Sequence, residues 1–79
     1  MVTVKAIGVA AKECGWASRI FEAKSLDDLL QSLPSNVLDM KKRGELVILL
    51  NGTELSAIEG NCQLSEQDSV VLLPVVHGG

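Results

Sequence analysis

The sequence predicts an α+β domain: a mixed sheet of four to five strands carrying one main helix. Three observations predict it. Residues 2–9 and 69–75 are rich in β-branched and aliphatic types, the composition of strands. Between them Leu26, Leu29, Leu30 and Leu33 fall at i, i+3, i+4 and i+7, the apolar stripe of a helix. Asn51-Gly52 then separates two further apolar stretches. That dipeptide is the strongest short hairpin signal, because a type I′ turn needs positive φ at both central positions.

Each element follows from local chemistry. Residues 2–9 form a first strand, 10–17 a connection bent at Gly15, and 18–23 a second strand with Ile20 facing inward. Ser25 is a good N-cap, and Asp28 three residues on gives a weaker capping box. Asp27 and Asp28 also suit the positive end of the helix dipole. Pro34 interrupts the helix, since proline disfavours an α conformation in the residue before it. Residues 36–43 add a further turn or two, with Lys41, Lys42 and Arg43 at the negative helix end and Gly44 as the left-handed cap. This explains the basic cluster without a binding patch. Residues 46–50 are a third strand, 53–58 a short returning strand, 59–61 a turn, 64–68 a connector and 69–75 the last strand.

The order is ββαβββ, or ββαββ if the short strand is discounted. It matches the β-grasp, in which one helix crosses a mixed sheet whose first and last strands lie side by side at the centre. The expected core is Val4, Ile20, Leu26, Leu29, Leu30, Leu33, Ile48, Leu50, Leu55, Val70 and Leu72.

Composition narrows the function. The 79 residues make one domain, with 47% apolar residues, enough for one compact core. Net charge is −3, and the only cationic cluster is Lys41-Lys42-Arg43, so a nucleic-acid face is not expected. With only Trp16 and Phe21 as aromatics, base-stacking platforms are not expected either. No apolar run approaches the ~20 residues that span a bilayer. No secretory leader opens the chain, so the expected location is the cytoplasm, with no membrane partner. Cys14 and Cys62 stand far apart and outside any C-x-x-C pair, and one histidine cannot complete a zinc site with them. They are expected to be free thiols, one in a loop and one near a turn, and no metal site is expected.

The sequence ends His77-Gly78-Gly79 directly behind the last strand. Chance puts Gly-Gly at a terminus in about 0.5% of chains at a glycine usage of ~7%, so its weight comes from the fold before it. The motifs 49–55 (LLNGTEL), 64–70 (LSEQDSV) and 73–79 (LPVVHGG) resemble the ubiquitin-like sulfur carriers. That superfamily includes the small subunit of molybdopterin synthase, the thiamine-pathway carrier, the ubiquitin-related modifier serving tRNA thiolation, and the small archaeal modifiers. The match is good over the C-terminal third and rests on element order elsewhere. One proline, Pro74, stands where the molybdopterin branch usually has two, and residues 11–14 match its Arg-Glu-Leu segment poorly. The His-Gly-Gly ending is nearer to the tRNA-thiolation modifier.

The resemblance implies a carrier and not an enzyme, although one that could be the small subunit of a molybdopterin synthase complex. Its domain would span 1–76, with 77–79 as a flexible tail. No cofactor is held permanently. An activating enzyme of the ubiquitin type uses ATP to place AMP transiently on the Gly79 carboxylate, which is then converted to a thiocarboxylate. The sulfur goes to molybdopterin or tRNA through a sulfur-accepting enzyme. The alternative is attack by target-protein lysines, giving an isopeptide at Gly79. Gly78, His77 and Val76 would be read as the tail enters the activating site. Residues 76–79 span at most ~14 Å, and glycine has no β-carbon to crowd a nucleotide. His77, of a residue type that ionises near neutrality, could contact phosphate or tune the thiocarboxylate, but with no acid or base partner next to it in sequence the favoured reading is a solvated tail residue. Alone, the protein is expected to be monomeric.

Strand phase adds a docking surface. If Ile48, Leu50, Val70 and Leu72 face the helix, then Val47, Leu49, Val71 and Leu73 face the other way. Four aliphatic groups beside the root of the tail would make a partner-docking patch, unless another part of the chain covers them.

Overall fold

The computed structural model describes residues 1–75. Five strands form one sheet: β1 (Val2–Ala6), β2 (Ser18–Phe21), β3 (Leu46–Leu50), β4 (Thr53–Glu54) and β5 (Ser69–Pro74). Their spatial order is β2-β1-β5-β3-β4. β1 and β5 pair in parallel at the centre, and the other pairs are antiparallel. The mixed sheet with its first and last strands adjacent is the arrangement expected of a β-grasp.

Three short helices, α1 (Val9–Cys14), α2 (Leu26–Ser32) and α3 (Ser35–Lys42), accompany the sheet. Pro34 divides α2 from α3, the interruption expected of the main helix. Leu33 before it is extended, at φ −76 and ψ 151, so α2 stops and α3 restarts. Ser25 caps α2 as expected, its Oγ accepting from the Asp28 N–H at 3.2 Å. Two more first-turn N–H groups donate across the chain, Leu26 to the Cys62 carbonyl (2.8 Å) and Asp27 to Asn61 Oδ1 (3.0 Å). The segment after the 3₁₀ turn (Leu55–Ala57) is thus strapped to the start of α2. At the end of α3, Gly44 takes φ 75, its N–H bonds to the Lys41 carbonyl, and the Glu45 N–H bonds to that of Met40. That is the Schellman pattern, with Lys41 and Lys42 in the last turn.

Four expectations need correction. The stretch 10–17 is not a plain connection, because α1 occupies much of it and puts Cys14 at a helix end instead of in a loop. Its first strand is correspondingly shorter, ending at Ala6. α1 is only one and a half turns long, and the wholly buried Ala10 holds it to the core. The returning strand 53–58 is two residues long before the 3₁₀ turn takes over. Ile20 does not enter the core: it is 61% exposed. β1 pairing sets Ile20 opposite Thr3, on the face away from Val2 and Val4, and β2 is an edge strand. Of the other expected core residues, Leu30 and Leu55 are half-buried against the core and the rest are buried. Val2, Ala6, Ala10, Ala23, Val37, Met40 and Leu46 complete it.

Candidate functional site

The strand that leads to the chain's last residues lies at the centre of the sheet. β5 ends at Pro74, and the Val75 N–H still donates to the Glu45 carbonyl at 3.0 Å. Pro74 sits where the ladder to β1 runs out. Ile7 donates its N–H to the Leu72 carbonyl (3.1 Å), but the Ile7 carbonyl accepts from Ala10 at the start of α1 (3.1 Å). The next donor from β5 would be residue 74, and proline has none. The chain therefore leaves β1 at this point without stranding a donor.

The open face of the sheet takes its residues from alternate positions. β3 and β5 alternate buried and less buried residues, and register sets Val47 opposite Leu73 and Leu49 opposite Val71. Val47, Leu49 and Val71 are half-buried, and Leu73 is 36% exposed. The structure thus brings these four side chains together as two cross-strand pairs. It also adds residues that sequence reasoning missed. Ile7 continues the outward phase of Thr3 and Lys5 and is 47% exposed, while Ile20 lies beyond Thr3 on β2. Lys5, opposite Val71, supplies a positive charge amid the aliphatic groups. Period-two counting from Val4 outward would have found Ile7; Ile20 needed the β1–β2 register.

On the helix side of the same strand end, a groove of about 410 Å³ opens between α1, α3 and Val75. Val9, Met40 and Pro74 give it apolar walls, and Glu13, Asp39 and Arg43 stand at it. Arg43 pairs with Glu45 at 3.1 Å, and that hydrogen bond and charge push the guanidinium pKa further up. Glu13 Oε2 accepts from Asn36 Nδ2 at 2.7 Å, tying α1 to α3. Burial first, and the Glu13 carboxylate second, push the Cys14 thiol up, which disfavours the reactive thiolate. Among the described residues no group of three or more His, Cys, Asp or Glu is placed to hold a metal ion, and no helix is long and apolar enough to cross a membrane.

At the far end of β5 the β3–β4 hairpin turns through Asn51 (φ 51) and Gly52 (φ 84), both positive as the type I′ turn demands. Asn51 Nδ2 donates to Asp68 Oδ1 (2.9 Å), and Asn51 Oδ1 accepts from the Ser69 N–H (2.9 Å). Asp68 Oδ2 accepts from the Ser65 N–H at 2.7 Å. The Asn51 bond above all, then the Ser65 backbone bond, holds the Asp68 carboxyl below its usual range. Val76, His77, Gly78 and Gly79, the residues expected to be read and activated, lie outside the described residues.

Two solved structures share this architecture. The solution structure of small archaeal modifier protein 1 from Methanosarcina acetivorans superposes with a TM-score of 0.74 at 24% identity, covering 99% of this chain and 95% of that one. The fold is the ubiquitin-like β-grasp. The crystal structure of Sulfolobus solfataricus Urm1 gives a TM-score of 0.67 at 15% identity, covering 92% of this chain and 99% of its own. Both are proteins of the kind that the turn, connector and tail motifs resemble. No family model and no curated protein matches the sequence.

Proposed function

We propose that this ubiquitin-like chain is a sulfur carrier whose Gly79 carboxylate is activated by a separate ATP-dependent enzyme. The reading is supported above all by one juxtaposition. The aliphatic face pairs Val47 and Leu49 of β3 with Leu73 and Val71 of β5, and β5 is the strand that the sequence continues from toward His77-Gly78-Gly79. A partner seated on that face would have the diglycine within reach.

The chemistry asks little of the carrier's side chains. A carboxylate resists nucleophiles through resonance and charge, and an α-carboxyl titrates near pH 3.5, so it is ionised in the cell. Its oxygen can attack the α-phosphate of ATP, expelling pyrophosphate and leaving an acyl-adenylate. The outer sulfur of a cysteine persulfide on a partner enzyme then bonds to the acyl carbon as AMP leaves. A second thiol attacks the inner sulfur, the S–S bond breaks, and the products are the thiocarboxylate and a disulfide. The carrier contributes a slender terminus and a docking surface. The activating enzyme contributes nucleotide binding and cysteine.

The second reading, conjugation of Gly79 to lysines of other proteins, is favoured by the likeness to a protein whose name is small archaeal modifier. Both readings share the adenylate and part at the nucleophile. Intact mass of the protein from its native host separates them. A terminus at Gly79 with one oxygen replaced by sulfur is expected of the carrier, and a ladder of larger adducts, lost on deleting Gly78-Gly79, is expected of the modifier. Neither species, or a native chain continuing unprocessed past Gly79, would refute both. Gly79→Ala should abolish either product while thermal unfolding stays unchanged.

A further inference from the structure

Asn51 is the one asparagine of this sequence that is followed by glycine; Asn36 precedes Val37 and Asn61 precedes Cys62. An asparagine in that position can react with its own backbone. The Gly52 nitrogen attacks the Asn51 Cγ, and with no β-carbon on the glycine nothing obstructs the approach. The surroundings of Gly52 are open as well, since apart from its two chain neighbours no atom lies within 4 Å of where a β-carbon would sit. Sequence and exposure therefore favour the reaction.

The hydrogen bonds oppose it. Both heteroatoms of the Asn51 side chain are engaged, Nδ2 with Asp68 Oδ1 and Oδ1 with the Ser69 N–H, each at 2.9 Å. The amide orientation is not ambiguous, because a carboxylate only accepts and a backbone N–H only donates. Asp68 is itself anchored, its second oxygen accepting from the Ser65 N–H. To bring Cγ over the Gly52 nitrogen, the side chain must swing off both partners.

We propose that Asn51 is a self-modification site, deamidation at the Asn51-Gly52 bond, which the Asp68 carboxylate holds closed in the folded protein. In the reaction the Gly52 nitrogen loses its proton and bonds to Cγ, while the Cγ–Nδ2 bond breaks and ammonia leaves. Water then adds to one of the two carbonyls of the succinimide and the bond from that carbonyl to the Gly52 nitrogen breaks, leaving aspartate when Cγ is attacked or isoaspartate when the backbone carbonyl is. No oxidant or reductant is involved. Either product sets a new carboxylate against Asp68 where an N–H had donated, and like charges at that distance repel. Isoaspartate also lengthens the backbone of a two-residue loop whose length sets the β3–β4 register. Modification thus detaches the hairpin from the start of β5.

The test follows deamidation of the full-length chain at neutral pH by peptide mass and by isoaspartate-specific methylation, folded and in urea. In the folded protein Asn51 should react at least roughly tenfold more slowly than in urea, since two hydrogen bonds must open first. Folded Asp68→Ala should recover much of that difference, while Asp68→Asn, which keeps an acceptor oxygen, should stay nearer the wild type. Should Asp68→Ala not fold, Asp68→Glu, whose carboxylate is displaced by a methylene, serves the same comparison. Equal rates in folded and unfolded wild type would overturn the proposal. So would folded Asp68→Ala, or Asp68→Glu in its place, reacting as slowly as wild type or more slowly.

Discussion

Strands β3 and β5 are aliphatic on both faces, yet the two faces have different fates. Ile48 and Leu72 are 1% and 0% exposed beneath the helices, whereas their neighbours Val47, Leu49, Val71 and Leu73 stay partly in contact with solvent. Residue type does not separate the two sets, since valine and leucine serve in both places. What separates them is the helical layer, which covers one face alone. An aliphatic side chain left uncovered contributes little to folding and is available to a partner. The comparison assigns stability to the buried set and leaves the other for the partner contact proposed above.

Substitutions can break or sharpen that division. The largest effect is expected for Leu72→Ala, which opens a cavity in the centre of the sheet and should cost about 2–5 kcal/mol of unfolding free energy in urea titration. Ile48→Val removes one buried methylene and should cost about 0.5–1.5 kcal/mol. Acid should act at the far end of β5, through Asp68. Its folded pKa lies below the unfolded value, so its contribution is present above the unfolded pKa and is lost as pH falls through the folded one. The difference in urea midpoint between wild type and Asp68→Ala should therefore be constant at neutral pH and shrink below about pH 4. The smallest effect on folding is expected for Leu73→Glu, within about 0.5 kcal/mol, although it should weaken capture by the activating enzyme. If Leu73→Glu destabilised the fold as much as Leu72→Ala, the two faces would not be distinct.

Much of the fold was legible because its signals are local. The Ser25 cap, the stop before Pro34, the Gly44 cap and the alternation in 46–50 each depend on residues a few positions apart. α1 was missed since six residues are too short to form a helix alone, and burial of Ala10 supplies what propensity does not. The available signal was the helix-forming run Ala10-Ala11-Lys12-Glu13 lying between Gly8 and Gly15. Ile20 was misassigned for a related reason: an isoleucine in a strand pattern reads as core, and only its edge position and register turn it outward. For the candidate site, strand phase found Val47, Leu49, Val71 and Leu73, while Lys5 and Ile20 entered through pairing across strands.

From the order of residues alone came the turns, caps and strand phases, because backbone preference and side-chain periodicity act within one element. Tertiary structure decided which face stays open, that β1 lies parallel to β5, and that Asn51 meets Asp68 from 17 positions away. Those outcomes depend on which surfaces meet once the elements pack. No window of neighbouring residues carries that information, since the same leucine is core or surface according to what lies above it.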